Sequence, residues 1–146
     1  MKTNSSKVAE KLNQLLSDYQ IYYQNLRALH WNVKGKQFYM LHEKYEEFYD
    51  EAADVIDELA ERILMIGEKP LHTFTDFLKT AQLKEADYIS DGKKGVELVL
   101  ENSRYLLKSF NEVLELAEGD EGTSALMSDL IGAAEKRIWM LKSTLV

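Results

Sequence analysis

Residues 26–63 read LRALHWNVKGKQFYMLHEKYEEFYDEAADVIDELAERI and contain the pattern from which the fold can be predicted. Apolar residues recur in steps of three and four on both sides of Gly35, which is the spacing of one face of an α-helix. A glycine between two such series indicates that one helix ends and a short turn leads into the next. The stretch therefore predicts two long helices that fold back on each other as an antiparallel hairpin.

The same spacing continues outward from this hairpin over most of the chain. The first helix is predicted to stop near Gly35 and the second near Gly67. Four apolar series carry the pattern: Val8, Leu12, Leu15, Tyr19, Tyr22, Leu26, Leu29 and Val33; Phe38, Leu41, Tyr45, Phe48, Ala52, Val55, Leu59 and Ile63; Val96, Val99, Leu106, Phe110, Val113 and Ala117; and Met127, Leu130, Ala134, Ile138, Leu141 and Leu145. A short turn from Gly119 to Gly122 makes the last two helices a second antiparallel pair.

The link between the two hairpins is long. It runs from Lys69 to Asp91, roughly 23 residues, which is enough to cross a bundle about 40 Å long. Thr73 and Asp76 have the spacing of a capping box and predict a short helix inside the link. Its apolar residues are Phe74, Phe77 and Leu78. We therefore expect an all-α four-helix bundle with one long crossover and a short extra helix, a topology similar to that of ferritin-like proteins.

The composition is that of one folded, helix-rich domain over residues 1–146. Hydrophobic residues make up 45% and charged residues 29%, which excludes a disordered or collagen-like chain. No cysteine is present, so disulfides and thiolate metal sites are excluded, and a metal must bind nitrogen and oxygen. The net charge of −7 disfavours nucleic acids and favours cations.

The segment Met1 to Glu10 is polar and lacks the apolar stretch of a signal peptide. No apolar run in the sequence is long enough to cross a membrane. We therefore expect a cytoplasmic protein without a membrane partner.

The second predicted helix carries pairs of metal-ligand residues. His42 and Glu46 are four residues apart, as are Asp57 and Glu61, so each pair lies on one helix face. From Glu46 to Asp57 is about three turns, so the pairs share a stripe but are separated by about 16 Å along the axis. Two bridged metal ions lie about 4 Å apart, so their ligands must lie close together. One helix therefore cannot close the site.

Two copies of this helix could complete the site if they packed antiparallel about a two-fold axis. The His42 end of one copy would then meet the Asp57 end of the other, and the interface would contain two sites. His30 can reach the same point because the short turn brings the end of the first helix beside the start of the second. Two imidazoles with two or three carboxylates suit iron, manganese or zinc better than calcium or magnesium.

Structural interpretations of the same residues remain open at this point. His30 alone could be a hydrogen-bonded core histidine, His42 with Glu46 a surface pair, and Asp57 with Glu61 solvated acids. The Glu-x-x-His step of a metal site within a single bundle is absent. The residues three before His30, His42 and His72 are Arg27, Tyr39 and Lys69.

Three motifs together resemble the Dps family of mini-ferritins, the DNA-protection-during-starvation proteins. They are His30-Trp31-Asn32-Val33-Lys34-Gly35, then Phe38 with Leu41-His42-Glu43, and then Asp57-Glu58-Leu59-Ala60-Glu61-Arg62; the resemblance extends to Trp139-Met140-Leu141. It implies a hollow homo-dodecamer with a ferroxidase centre at each two-fold interface. It also implies that His30 and His42 of one subunit bind iron with Asp57 and Glu61 of its partner, and that Glu46 completes a second iron position.

The resemblance further implies that the protein oxidises Fe(II), typically with hydrogen peroxide, and stores the Fe(III) as a mineral that limits oxidative damage. Zinc or other divalent metals can occupy such sites. Trp31, next to His30, is a candidate radical trap, and a packed interface aromatic is the alternative interpretation.

Acidic pores admit iron in this family. Glu118, Asp120 and Glu121 are the candidates here, with a solvated acidic turn as the alternative. The sequence departs from the family at Ala125, where many members have aspartate, and Asp129 is a candidate substitute.

Members that bind DNA commonly use a flexible basic tail. This chain offers only Lys2, Lys7 and Lys11 near its start, and twelve copies would carry on the order of −84 formal charges. We expect little or no DNA binding.

The sequence therefore supports three hypotheses. The first is a ferroxidase that stores iron. The second is a helical shell that compacts DNA or acts as a surface antigen or adhesion assembly, and the third is a helical scaffold without metal.

Overall fold

The computed structural model describes residues 3–146 and contains five helices, with no strand in that range. They are α1 (Asn4–Asn32), α2 (Phe38–Met65), α3 (Phe74–Thr80), α4 (Gly92–Leu116) and α5 (Glu121–Thr144). The four long helices and the short helix in the crossover occur where the sequence predicts them, and the start of α5 differs from the predicted bound. The all-α prediction is confirmed.

Local signals set the helix ends. Before α3, α4 and α5, the side chain of Thr73, Asp91 or Asp120 accepts a hydrogen bond from the backbone N–H three residues later. Gly35 in the α1–α2 turn has a φ of +114°, and Gly119 in the α4–α5 turn has a φ of +87°. Both angles lie in the region that favours glycine, which explains why these turns occur where the sequence predicted them.

The predicted apolar series form the core. Every member is either buried or packed against the buried cluster. Helix α1 packs against α2, α3 and α4, while α4 packs against α5. Phe77 of α3 is buried, whereas Phe74 and Leu78 are 80% and 55% exposed. Only one side chain of the short helix is therefore covered within a single chain.

Polar side chains of α1 hold the crossover in place. Asn13 donates to the carbonyl of Lys69 and accepts from the N–H of Leu71, at 3.1 and 2.8 Å. Asn25 does the same further along, donating to the carbonyl of Lys84 and accepting from the N–H of Ala86. These bonds satisfy backbone groups of a segment that has no sheet or helix partner.

A buried carboxylate holds the middle of the crossover. Asp18 is fully buried and accepts hydrogen bonds from the N–H groups of Gln82 and Leu83, at 2.7 and 2.9 Å. The hydroxyl of Tyr105 on α4 donates to its second oxygen at 2.8 Å. Asp18 therefore joins α1, the crossover and α4 at one point.

The structure corrects one boundary. The α4–α5 turn was predicted from Gly119 to Gly122, but α5 begins at Glu121. The reason is that Asp120 caps the helix, accepting from the N–H of Thr123 at 3.1 Å. Glu121 and Gly122 therefore belong to the first turn of α5.

Candidate metal centre

The centre of the candidate site is a reciprocal contact between His30 and His42. Their rings stack with centroids 3.8 Å apart and planes inclined by 12°. His30 Nδ1 lies 2.6 Å from the carbonyl oxygen of His42, and His42 Nδ1 lies 2.7 Å from the carbonyl oxygen of His30. Each imidazole is thus held by the backbone of the other residue, across the α1–α2 turn.

These two hydrogen bonds determine the tautomer of both rings. A carbonyl oxygen can only accept, so each Nδ1 must carry the proton. In a neutral imidazole the other nitrogen, Nε2, then has a free lone pair that can bind a metal ion. Because both rings are oriented in this way, the pair offers two nitrogen ligands without rearrangement.

Aromatic rings enclose the pair. Phe38 stacks on His42 with centroids 4.9 Å apart, and the edge of Tyr49 meets His30 at 5.3 Å. His30 is only 7% exposed, while His42 is half-buried. Burial, together with the carboxylates of Glu46 and Asp50, raises the pKa of Tyr49. These ring contacts restrict the orientation of both imidazoles.

Glu46 is the carboxylate nearest to the pair in the same chain. Its Oε1 lies 3.7 Å from His30 Nε2, and its side chain is 53% exposed. This distance is too long for a strong hydrogen bond. Small shifts of the two side chains would let both atoms bind one metal ion. Glu46 therefore lies beside His30, and its role as a metal ligand stays a prediction.

Asp57 and Glu61 lie elsewhere on the surface of the chain. Both are exposed, and both belong to the same unbroken helix α2 as His42. The fifteen residues from His42 to Asp57 correspond to about 22 Å along the axis. Within residues 3–146 of one chain, no group of three or more His, Asp or Glu side chains is arranged to hold a metal ion. The assignment of these four residues to one shared site stays a prediction.

Trp31 makes a cation–π contact with Arg27. The guanidinium of Arg27 lies 4.9 Å from the centroid of its ring and 5.3 Å from that of Tyr23. Trp31 is 56% exposed in the single chain. The structure is compatible with either interpretation made from the sequence.

The predicted pore acids differ in their surroundings. Glu118, Glu121 and Asp129 are exposed, as is Ala125, so these acids are free to face a pore. Asp120 is instead hydrogen-bonded within the chain. One of its oxygens accepts from Arg62 at 2.9 Å and the other from the Thr123 hydroxyl at 2.6 Å. Burial alone would raise the pKa of Asp120, but these hydrogen bonds and the Arg62 charge outweigh it and lower the pKa.

Sequence reasoning missed two residues beside the site. Tyr49 lies seven residues after His42, which places both on one helix face, so the spacing could have identified it. Arg62 follows Glu61 directly and bonds to the α4–α5 turn through Thr123 and Asp120. Its partners are about 60 residues away in sequence, and no local signal identifies them.

Known proteins are similar to this chain in fold and in sequence. The family described as "Ferritin-like domain" matches residues 9–146, which places the chain among the ferritin-like proteins. A curated relative, DNA protection during starvation protein 2 of Bacillus anthracis, is 38% identical over 97% of this chain and 98% of its own. The DNA protection during starvation protein of Porphyromonas gingivalis is 40% identical over 93% of this chain and 87% of its own.

A solved structure agrees with these relatives. The Dps protein of Vibrio cholerae O1, a member of a broad superfamily of ferritin-like diiron-carboxylate proteins, superposes with a TM-score of 0.97. It is 47% identical and covers 99% of this chain and 92% of its own. The chain belongs to the Dps family. Membership assigns it in general terms to iron storage and protection against oxidative stress.

No helix within residues 3–146 is both long and apolar enough to span a membrane. The cytoplasmic location stays a prediction.

Proposed function

We propose that this single-domain protein is a ferroxidase that oxidises Fe(II) with hydrogen peroxide and stores the Fe(III) in a hollow homo-dodecamer. The observation that carries the proposal is the His30–His42 pair, whose two Nδ1 atoms donate to backbone carbonyls and leave both Nε2 atoms free. Two preoriented imidazoles are suited to Fe(II), which must bind and leave as substrate.

Each site takes its ligands from two chains. His30 and His42 of one chain bind iron together with Asp57 and Glu61 of the partner, and Glu46 contributes to a second iron position. The length of α2 supports this proposal, because Asp57 lies about 22 Å along the axis from His42 of its own chain. An antiparallel pairing of two α2 helices brings the two ends together twice at each interface.

The reaction balances with two iron ions and one peroxide. Each Fe(II) gives up one electron, the O–O bond of hydrogen peroxide breaks, and two protons convert the two oxygens to water. The carboxylates offset the charge of the Fe(III) products, and the imidazoles keep the ions within one site. Paired oxidation avoids a free hydroxyl radical, which a one-electron reaction with peroxide would release.

Iron reaches and leaves these sites through acidic surfaces. Glu118, Glu121 and Asp129 are exposed and can converge at a three-fold pore, where carboxylates attract cations. Asp120 serves chiefly as the cap of α5, since both of its oxygens are engaged within the chain.

DNA compaction is not favoured as a second function. Lys11, one of three lysines near the start of the chain, forms an ion pair with Glu112 at 2.7 Å. Lys7 is exposed, and Lys2 lies outside the residues that the structure describes. The net charge of −7 per chain opposes binding to phosphates.

Mixing two inactive variants tests the shared site. The first carries His30→Ala with His42→Ala, and the second carries Asp57→Ala with Glu61→Ala. In randomly mixed assemblies, half of the two-fold interfaces contain one chain of each kind, and one of the two sites there has all four ligands. We expect about one quarter of the wild-type rate of peroxide-dependent Fe(II) oxidation, although each variant alone is nearly inactive.

The mixture is prepared by coexpression and purified in two successive steps through a different tag on each variant, so that only mixed assemblies are assayed. Solution mass then verifies that each variant and the mixture assemble like the wild type. A mixture that is no faster than its parents would refute a site shared between chains. Wild-type rates in either parent would refute the ligand assignment itself.

A further inference from the structure

Met65, at the end of α2, is the most exposed methionine that the structure describes. The residue is 71% exposed, against 49% for Met40 and 46% for Met140, while Met127 is fully buried. An accessible thioether is open to oxidation to a sulfoxide, whereas a buried one is shielded by its neighbours. Among residues 3–146, Met65 is therefore the methionine that an oxidant in solution reaches most easily.

The sulfur of Met65 also contacts a hydrogen-bond donor. Nη1 of Arg62 lies 3.9 Å from Sδ, and no other methionine sulfur among residues 3–146 accepts a hydrogen bond. The other two nitrogens of the same guanidinium bind the start of α5, because Nε donates to the Thr123 hydroxyl and Nη2 donates to Asp120. Met65 thus belongs to the cluster of side chains that joins the end of α2 to α5.

The contact between Met65 and Arg62 is weak while the sulfur is reduced. A thioether is a weak acceptor, and the distance of 3.9 Å is long. A sulfoxide oxygen is a strong acceptor that projects from the sulfur by one bond length, which can place it within ordinary hydrogen-bond reach of Nη1. Oxidation would therefore replace a weak hydrogen bond with a stronger one from a charged donor.

We propose that hydrogen peroxide converts Met65 to its sulfoxide and that the new oxygen accepts a hydrogen bond from Nη1 of Arg62. A lone pair of the sulfur attacks one oxygen of the peroxide, and the O–O bond breaks as the S–O bond forms. The sulfur loses two electrons. The departing hydroxide takes the proton of the transferred hydroxyl group and becomes water, so thioether and peroxide give sulfoxide and water without another reactant.

The modification strengthens the connection between α2 and α5. In a core, a sulfoxide disrupts packing because it makes an apolar side chain polar. At Met65 the sulfoxide meets solvent and a guanidinium, so it costs little desolvation and adds a hydrogen bond.

The proposed iron centre uses the same oxidant close by. Glu61, a proposed iron ligand, lies four residues before Met65, so both residues lie on one face of α2. The reaction at Met65 itself requires no iron. It can therefore be tested in the iron-free protein, apart from the proposed function.

Peroxide treatment of the iron-free assembled protein tests the reaction, with peptide mass spectrometry as the readout. Met65 should be oxidised at least as fast as Met40 and Met140, and Met127 should be oxidised more than about 10-fold more slowly because it is buried. The effect on stability is measured in a Met40→Leu, Met140→Leu background, which removes the other exposed thioethers of residues 3–146. Oxidation should raise the urea midpoint of this protein at one fixed protein concentration, and methionine sulfoxide reductases should return the midpoint to its starting value.

Two further variants in this background isolate the hydrogen bond. With Met65→Leu, peroxide should leave the urea midpoint unchanged. With Arg62→Leu and Met65 retained, peroxide should no longer raise the midpoint, because the donor is missing. Each treated variant is compared with its own untreated form, so that a lower starting stability of Arg62→Leu does not enter the comparison.

Three outcomes would overturn the proposal: Met65 stays reduced in the assembled protein, its oxidation fails to raise the midpoint, or the midpoint of Arg62→Leu rises equally. A crystal structure of the treated protein provides a test that does not depend on the assembly of Arg62→Leu. The sulfoxide oxygen should lie within about 3.2 Å of Nη1 of Arg62, and an oxygen that contacts only water would overturn the proposal as well.

Discussion

Nη2 of Arg62 lies 2.9 Å from Oδ1 of Asp120, so the residue next to Glu61 is tied to the cap of α5. Nε of the same guanidinium donates to the hydroxyl of Thr123 at 2.9 Å. The guanidinium fits above Gly122, where a Cβ atom would collide with it. One side chain therefore links the end of α2, which carries a proposed iron ligand, to the turn that carries the proposed pore acids.

Replacing Arg62 with methionine should destabilise the protein by about 1–3 kcal/mol. The change leaves Asp120 and Thr123 without their partner while the aliphatic part of the side chain remains. Urea unfolding at one fixed protein concentration measures the loss. Arg104→Met on the exposed face of α4 is the matched control and should change stability by less than about 0.5 kcal/mol. Equal stability of the two variants would contradict a structural role for Arg62.

The stabilising effect of Asp120 should depend on pH. Its pKa is lower in the folded chain than the unfolded value of about 3.9, so the ionised form stabilises the fold above that pH. As the pH falls through the folded pKa, the carboxylate is protonated and this contribution is lost. Asp120→Asn should therefore be less stable than the wild type at pH 7, and the difference should shrink below about pH 4. A difference that is constant from pH 7 to pH 3 would argue against an ionised cap.

Asp18→Ala should loosen the crossover more than it disturbs the helices. The substitution removes the acceptor of two backbone N–H groups and of the Tyr105 hydroxyl, all of which lie in or beside a buried region. We expect a loss of about 2–4 kcal/mol and faster hydrogen exchange at Gln82 and Leu83. Tyr105→Phe removes one of the three bonds and should have a smaller effect on both measurements. Unchanged exchange at the two amides in Asp18→Ala would contradict this account.

His30→Ala combined with His42→Ala should slow peroxide-dependent Fe(II) oxidation by at least about 100-fold, because both proposed nitrogen ligands of each site are lost. The remaining histidine, His72, is exposed in the crossover and provides a matched control. His72→Ala should oxidise iron at the wild-type rate, as measured by stopped-flow absorbance after anaerobic loading. If the double variant and the control are equally fast, iron is oxidised elsewhere.

DNA should bind weakly at physiological salt. The net charge is −7 per chain, and Lys11 is already paired with Glu112. A gel-shift titration at ~150 mM salt, where phosphate contacts are strongly screened, should show no complex in the micromolar range of protein. A tight complex under these conditions would show that a local positive patch overcomes the net negative charge.

Much of the fold could be predicted because apolar spacing reports directly on helix faces. The residues from Val8 to Val33 and from Phe38 to Ile63 repeat at helical steps, and they form the core in the structure. The boundary at Glu121 could not be placed as well, because it depends on a hydrogen bond of Asp120. Periodicity identifies the buried face of a helix but carries little information about its first and last turns.

The candidate site could be predicted only in part, because spacing reports distances along a single helix. Spacing along one helix is enough to show that His42 and Asp57 of a single chain are too far apart to share a metal ion. Spacing does not show that His30 and His42 hold each other through their backbone carbonyls, since that contact requires the fold of the α1–α2 turn. Nor does spacing distinguish Asp120, which caps α5, from the exposed acids around it.

The helices, the core and the separation of the proposed metal ligands into two distant groups follow from the amino-acid sequence, since each depends on distances along one chain or one helix. Which nitrogen of each histidine is free and which acid serves as a cap follow only from the folded structure. These features depend on partners from different helices, and their hydrogen bonds form only when packing brings those partners within about 3 Å.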